Sequence, residues 1–449
     1  MNEGSEHQRI DMSEYYGQTT VHPIGLTLLL TMMLAMLVLP RKYAVWPAIF
    51  IGCFISPAQR LILFGSNFPF LRILLIFAVI RILLRQELRG LKFGTFDLVI
   101  IVYSILYLTT HTLQQQTTKA FMFQIGLNID LLSTYLMARS LVRTFDDLSN
   151  VTLGFIVASI PVAIAFMAEY TTHKNVFAFL GGVAFISEMR EGKLRCQGAF
   201  AHAILGGCYW ALVLPLVAAR WFDPRQSKFL TLIGMGCCVT CVVLSASSTP
   251  LMGAVNVFVG ACFYPLRRQM KAVRSALLAT ILLLHFVILK GSIWSLFAKM
   301  NLFGGSSGWH RTHLIEKSID YFFEWWLTGT RDTEHWGWGL HDVTNHFLYD
   351  GVRGGFFVML LLITMIVLTF RNVGRIMRTR VVARDRTKTI LAWSLGVMLF
   401  VHIMNFMAVS YFGQITMLIW LTFGVTVSIC DTVMDLDRRD RSARVSCIA

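Results

Sequence analysis

Apolar runs long enough to approach a bilayer's thickness recur along this chain, and that recurrence limits its fold more than any other feature. The plainest is FFVMLLLITMIVLTF at 356–370. A helix needs roughly 20 residues to cross about 30 Å of hydrocarbon. Only helices and closed barrels satisfy their own backbone polar groups there. Candidate runs lie at 23–39, 43–57, 70–84, 95–110, 121–141, 151–168, 199–220, 229–246, 250–265, 274–290, 354–370, 389–410 and 414–431. They predict an all-α fold: a polytopic transmembrane helical bundle of about 13 spans, with a large extracytoplasmic loop carrying short amphipathic helices. A chain that is 55% hydrophobic and only 14% charged does not make a soluble globular protein.

The net charge of +15 sits in short clusters between the apolar runs. That is the signature of cytoplasmic loops, and it argues against a nucleic-acid partner. Arg41/Lys42, Arg85/Arg89/Lys92, Arg139/Arg143, Arg220/Arg225/Lys228, Arg267 to Arg274, Arg371 to Lys388 and Arg438 to Arg444 alternate with basic-poor links. The opposite, extracytoplasmic face then receives the polar segment 1–22, a loop near 169–198, the turn SASSTP at 245–250 and the long loop 291–353. The division that follows is 23–290 and 354–431 as membrane helices and 432–449 as a basic cytoplasmic tail. The nine cysteines fall mostly in apolar runs and read as small hydrophobes.

The loop 291–353 is too rich in Trp, Phe and Tyr for disorder. Its stretch HRTHLIEKSIDYFFEWWLTG places Leu314, Ile315, Ile319, Phe322, Phe323 and Trp326 on one helical face, which predicts a helix on the membrane surface with Trp325 and Trp326 in the interfacial belt. External loops are normally poor in arginine, so Arg311 and Arg353 stand out among His310, His313, Arg331, His335, His341, Asp342, Asn345 and His346. Earlier, GKLRCQGAFAHA puts Arg195 just before a span and His202 about two turns inside it, with Arg190 and Lys193 upstream. Such cations suit an anionic headgroup or a diphosphate. Asp130, His285, His402 and Asn405 lie within spans, where polar groups need a partner or a cavity. Glycines at 337, 339, 351, 354 and 355 allow turns and close packing where the chain enters the next span. Neither histidine spacing nor acidic residues suggest a metal site.

At these residues the chain resembles the O-antigen ligase and polymerase family. DVTNHFLYDGVRGGFF is similar to a His-Asn-x-x-Leu motif followed by glycine-rich entry into a span, with Asn345, Leu348 and Gly355 matching. RCQGAFAHAILGG is similar to the family's earlier motif at Arg195, Gly198, Phe200 and His202. Thr344 stands where the motif has histidine, and SASSTP lacks the arginine of a Ser-x-x-Arg.

The resemblance implies a metal-independent, cofactor-free glycan transferase of the bacterial inner membrane. Its donor is an undecaprenyl diphosphate-linked glycan and its acceptor a glycan or lipid-anchored molecule, with membrane lipids and other polysaccharide-assembly proteins as further partners. It implies His346 or His341 as catalytic base, and Arg195, Arg311, Arg190 and Arg353 around the donor diphosphate. Asn345, His202 and Trp338 then position substrate, with Trp325, Trp326 and Trp336 as other ring-stacking candidates. The rival readings are a lipid-linked oligosaccharide flippase or exporter, and a non-catalytic scaffold.

Overall fold

The computed structural model describes residues 19–63, 65–190, 192–283 and 307–448. His285 and the first part of the long loop, 284–306, lie outside them. The hydrophobic runs fold as helices: α1 (Pro23–Val38), α2 (Trp46–Phe54), α3 (Phe70–Leu84), α4 (Thr95–Gln115), α5 (Thr118–Leu141), α6 (Phe145–Thr172), α7 (Ala203–Ala219), α8 (Lys228–Leu244), α9 (Ser248–Cys262) and α10 (Met270–Leu283). After them come α11 (Ser307–Asp320), α12 (His346–Gly354), α13 (Phe356–Arg378), α14 (Arg386–Phe406) and α15 (Ile415–Ile448), with single helical turns at Phe322–Trp325 and Arg380–Ala383. Two small antiparallel hairpins interrupt them, β1 (Arg60–Leu63) with β2 (Ser66–Pro69) and β3 (Met189–Arg190) with β4 (Lys193–Leu194).

Among the described residues, seven helices are long and apolar enough to cross a membrane, or up to eight if the bent pair Ser248–Cys262 and Tyr264–Thr280 counts as one span. The chain is an all-α, multi-pass membrane protein, and the described residues show fewer full-length spans than the thirteen apolar runs. The reasons are local. The run 43–57 holds only the nine-residue α2, about 14 Å long at 1.5 Å per residue, which ends at the extended Ile55 before a turn at Pro57–Ala58 leads to β1. The runs at 250–265 and 274–290 are joined by a 67° bend. The stretch 432–448 is helical, because α15 continues through it.

Ion pairs and side-chain hydrogen bonds gather the basic links at one end of the bundle. Arg41 reaches Asp147 at 3.1 Å, Arg225 reaches Asp146 at 3.1 Å and Lys92 reaches Asp435 at 2.7 Å. Arg139 is the centre of this end. It is 3% exposed, bonds Asp97 and Asp431 at 3.1 and 2.7 Å, and donates to the Lys92 carbonyl. Asp130, read from sequence as an isolated acid in a span, is held by Arg72 at 2.7 and 2.8 Å and ties α5 to α3. Arg72 and Arg139, both deep among the helices, therefore have carboxylate partners.

At the opposite end lie both hairpins, the turn 245–247, the link 407–414 and the segment 307–355. Helix α7 connects the two ends through the core; it packs against α6, α8, α9, α14 and α15, and 89% of its apolar stretch is buried. The segment 307–355 has its own small core of Leu314, Trp325, Trp336, Leu340 and Val352. This corrects the expected surface-lying helix: Leu314 and Ile315 turn inward, Trp325 is buried with its indole N–H donating to the Ser318 carbonyl at 2.8 Å, and Ile319 and Phe323 remain exposed.

Gly355 joins α12 to α13 with φ +89°, and a Cβ there would come within 2.4 Å of the Leu327 carbonyl oxygen. Both observations require glycine. Gly355→Ala is expected to cost roughly 1–3 kcal/mol through strain at this joint. A thermal midpoint equal to wild type in the same detergent would contradict this.

Candidate functional site at the mouth of the bundle

The site begins where α7 starts. His202 is not two turns inside a span: it is the N-cap of α7, its Nδ1 accepting the Ile204 N–H at 3.1 Å, because residues 197–202 turn before the helix begins. Gly198, at φ +60°, allows that turn. Arg195 precedes it, 4% exposed and 3.8 Å from Glu188. Burial holds the His202 imidazole below its ordinary range, and the Arg195 charge adds to this while Glu188 and Asp342 oppose it. Arg190, exposed on β3, acts in the same direction as Arg195. Thus Arg195, Arg190 and His202 share one neighbourhood, and Asp342 brings the 339–345 segment to it.

Helix α11 forms the next wall with two consecutive residues. His310 Nε2 lies 2.9 Å from the Gly339 carbonyl, and its Nδ1 lies 3.5 Å from Thr344 Oγ1. Gly339, at φ +77°, turns its carbonyl there. Arg311 extends the other way, its Nη2 donating to Thr249 Oγ1 at 3.4 Å in the first turn of α9, while its Nε is buried without a hydrogen bond among the described residues. Burial draws the guanidinium below its ordinary range, and no carboxylate pairs with it among the described residues. A partly buried cation beside the N–H groups of a helix start is an electrostatic environment that favours an anion. His310 stands beside Thr344, and Arg311 stands on the SASSTP turn.

The link 407–414 closes the ring. Ser410 Oγ donates to the Val343 carbonyl, and the Tyr411 hydroxyl meets His402 Nδ1 and Asn405 Nδ2, each at 3.3 Å. Gln414 Nε2 donates to the Ala199 carbonyl at 2.7 Å, which ties this link to the turn before α7. Sequence reading passed over Ser410, Tyr411 and Thr249. The available signal was polar residues in short links on the same face as the long loop.

Helix α12 carries the motif residues inward. Asn345 is its N-cap, with Oδ1 accepting from Phe347 N–H at 3.0 Å and Leu348 N–H at 3.2 Å. That bonding commits its carbonyl to starting the helix. His346 is buried against Phe406, ring centres 4.4 Å apart, and its Nδ1 accepts the Tyr411 N–H at 3.3 Å. Its proton in the neutral form is then on Nε2, so no ring lone pair remains free in this arrangement. Asp350, one turn on, accepts from the Tyr103 hydroxyl at 2.6 Å. Arg353 lies at the far end of α12 over the Tyr349 ring at 4.3 Å, its backbone carbonyl 3.3 Å from His111. Its backbone thus meets α4. His341 is exposed, and Trp338 is 91% exposed at the tip of the 337–339 turn.

Burial opposes charge at both ends of the buried face of α12. It pulls His346 down to about 3 and pushes Asp350 up to about 7. For His346 the folded value lies below the unfolded one, so the unfolded chain binds more protons between pH 3 and 6.5. That contribution to stability is complete above pH 6.5 and falls on acidification by about 1.4 kcal/mol per pH unit. Asp350 runs the opposite way, losing stability as pH rises from 3.8 to 7. The diagnostic quantity is the difference between wild type and His346→Gln, which retains an acceptor for Tyr411. Wild type is expected to lose ground to the variant steadily from pH 6.5 down to 4.5; parallel stability curves would refute the buried neutral histidine.

No protein-family model matches this chain, and no curated protein is significantly similar to it.

Proposed function

We propose that the protein transfers a glycan from an undecaprenyl diphosphate-linked donor to a glycan or lipid-anchored acceptor at the extracytoplasmic face of the bacterial inner membrane, in O-antigen or exopolysaccharide assembly. One observation carries the reading. Arg195, Arg190 and Arg311 come from two separated parts of the sequence to the same end of the bundle, and Arg311 lies on the first turn of α9 with no carboxylate partner among the described residues. A departing diphosphate gains negative charge, and fixed cations and helix N–H groups are the means of stabilising it without metal. Arg195 and Arg311 form the centre of the donor site, Arg190 its outer rim, and His202 and the 339–345 segment its floor and wall. Asn345 acts by starting α12, His341 and Trp338 face the solvent where an acceptor glycan arrives, and Arg353 supports the fold at α4.

A flippase requires cations within the membrane that are free to accompany an anionic substrate. Arg72 and Arg139, by contrast, are neutralised by Asp130, Asp97 and Asp431. The test is full-length protein in proteoliposomes with a labelled undecaprenyl diphosphate-linked oligosaccharide and a glycan acceptor. Label should move to the acceptor with release of undecaprenyl diphosphate. Translocation of intact lipid-linked donor with no new glycosidic bond would replace this reading with transport.

A further inference from the structure

The long loop and its neighbours contain several histidines, and their hydrogen bonds separate them. His346 uses Nδ1 to accept from the Tyr411 backbone, and its ring is packed against Phe406. His202 uses Nδ1 to cap α7. His335 is bonded to Glu324 at 2.9 Å on the outer surface, and His313 is stacked on Trp309 with ring centres 4.8 Å apart. His310 differs from all four. The Gly339 carbonyl can only accept, so Nε2 of the neutral ring must hold the proton and Nδ1 must present a lone pair. That lone pair faces a hydroxyl, Thr344 Oγ1, at 3.5 Å. The next residue is Arg311, on the first turn of α9.

We infer that His310 is the proton acceptor for the incoming hydroxyl group of the glycan acceptor, with the Gly339 carbonyl fixing its tautomer and Arg311 holding the leaving diphosphate on the adjacent side of α11. The inference rests on the transferase reading and assigns a residue within it. The acceptor hydroxyl approaches Nδ1 from the side that Thr344 Oγ1 occupies. Its proton passes to Nδ1, and the oxygen's electron pair forms the bond to the anomeric carbon of the donor sugar. The bond from that carbon to the diphosphate oxygen breaks, and its electron pair leaves with undecaprenyl diphosphate, whose added charge lies beside Arg311. His310 then returns the proton to water. Nothing is oxidised or reduced.

Consecutive helical residues point about 100° apart, so a base and a cation at 310 and 311 reach Thr344 on one side and Thr249 on another from a single rigid element.

The experiment uses full-length wild type, His310→Gln, His310→Ala and His346→Gln in proteoliposomes, with undecaprenyl diphosphate-linked oligosaccharide as donor. Retention of the donor, kcat and KM for transfer, and thermal unfolding are measured together. Glutamine at 310 retains a donor for the Gly339 carbonyl but provides no base. Both 310 variants should lose about 10²- to 10⁴-fold in kcat while retaining donor and unfolding as wild type does, His346→Gln should continue to transfer, and added imidazole should restore part of the His310→Ala rate. If wild type transfers and His310→Gln keeps its kcat, the inference fails and the transferase reading stands. If both 310 variants lose donor retention in proportion to kcat, His310 is a binding residue and the inference again fails. If wild type forms no glycosidic bond from such donors, the transferase reading fails and takes the inference with it.

Discussion

Replacing Arg311 by alanine is expected to lower glycan transfer by about 10²- to 10³-fold in kcat, the usual cost of removing one fixed donor from developing negative charge. The loss should be far larger than any change in stability. Arg311 is a partly buried cation whose Nε is buried without a hydrogen bond among the described residues and whose Nη2 makes a 3.4 Å hydrogen bond to Thr249. Removing it relieves a desolvated charge and breaks no carboxylate pair among the described residues. Lysine at this position should recover only part of the rate, because a point charge cannot reach Thr249 and a phosphate oxygen together as a planar fork does. Arg195→Ala provides the contrast: Arg195 is 4% exposed and paired with Glu188, so its removal should lower both activity and stability. Wild-type transfer by Arg311→Ala would remove the diphosphate site from this end of α9.

The largest effect on stability is expected at Arg139, far from the site. Its guanidinium is 3% exposed and bonds Asp97, Asp431 and the Lys92 carbonyl, and Asp97 also accepts from the Tyr135 hydroxyl at 2.7 Å. Arg139→Ala leaves the buried Asp97 carboxylate without its cation, a change that costs about 3–5 kcal/mol when one member of a buried pair is removed. The Asp431 contact contributes less, since that side chain is 43% exposed and water screens it. Thermal unfolding of Arg139→Ala in detergent should shift strongly downward. The double variant Arg139→Met with Asp97→Leu should recover part of the loss, because it removes the isolated charge as well. Equal stability of Arg139→Ala and wild type would show that this network does not hold α4, α5 and α15 together.

Periodicity and charge placement made much of the fold legible. Helix type followed from the apolar runs, and the alternation of basic links anticipated the single end at which Arg41, Arg139, Arg225 and Lys92 meet their partners. The span count was less legible, because hydropathy does not register how a run is divided. Trp46–Phe54 ends at the extended Ile55, and the break between Cys262 and Tyr264 bends one run against the next. Within the site, the cations Arg195 and Arg311 could be named from composition, since arginine is uncommon in external loops. Their neighbours could not. Thr249 meets Arg311 from 62 residues away, and Tyr411 meets His346 from 65 residues away. The histidines had equal standing in sequence because only tertiary hydrogen bonds decide which ring nitrogen carries the proton, as the Gly339 carbonyl does for His310 and the Tyr411 N–H does for His346.

The most direct measurement is deletion of the gene, followed by parallel analysis of surface glycans and lipid-linked glycans with each lipid's membrane face determined. Loss of surface polymer, with undecaprenyl diphosphate-linked single repeat units or full chains accumulating on the outer face, is the predicted result, and the accumulated length separates a polymerase from a ligase. Lipid-linked glycans trapped on the cytoplasmic face, or an unchanged profile on both faces, would contradict the transferase reading.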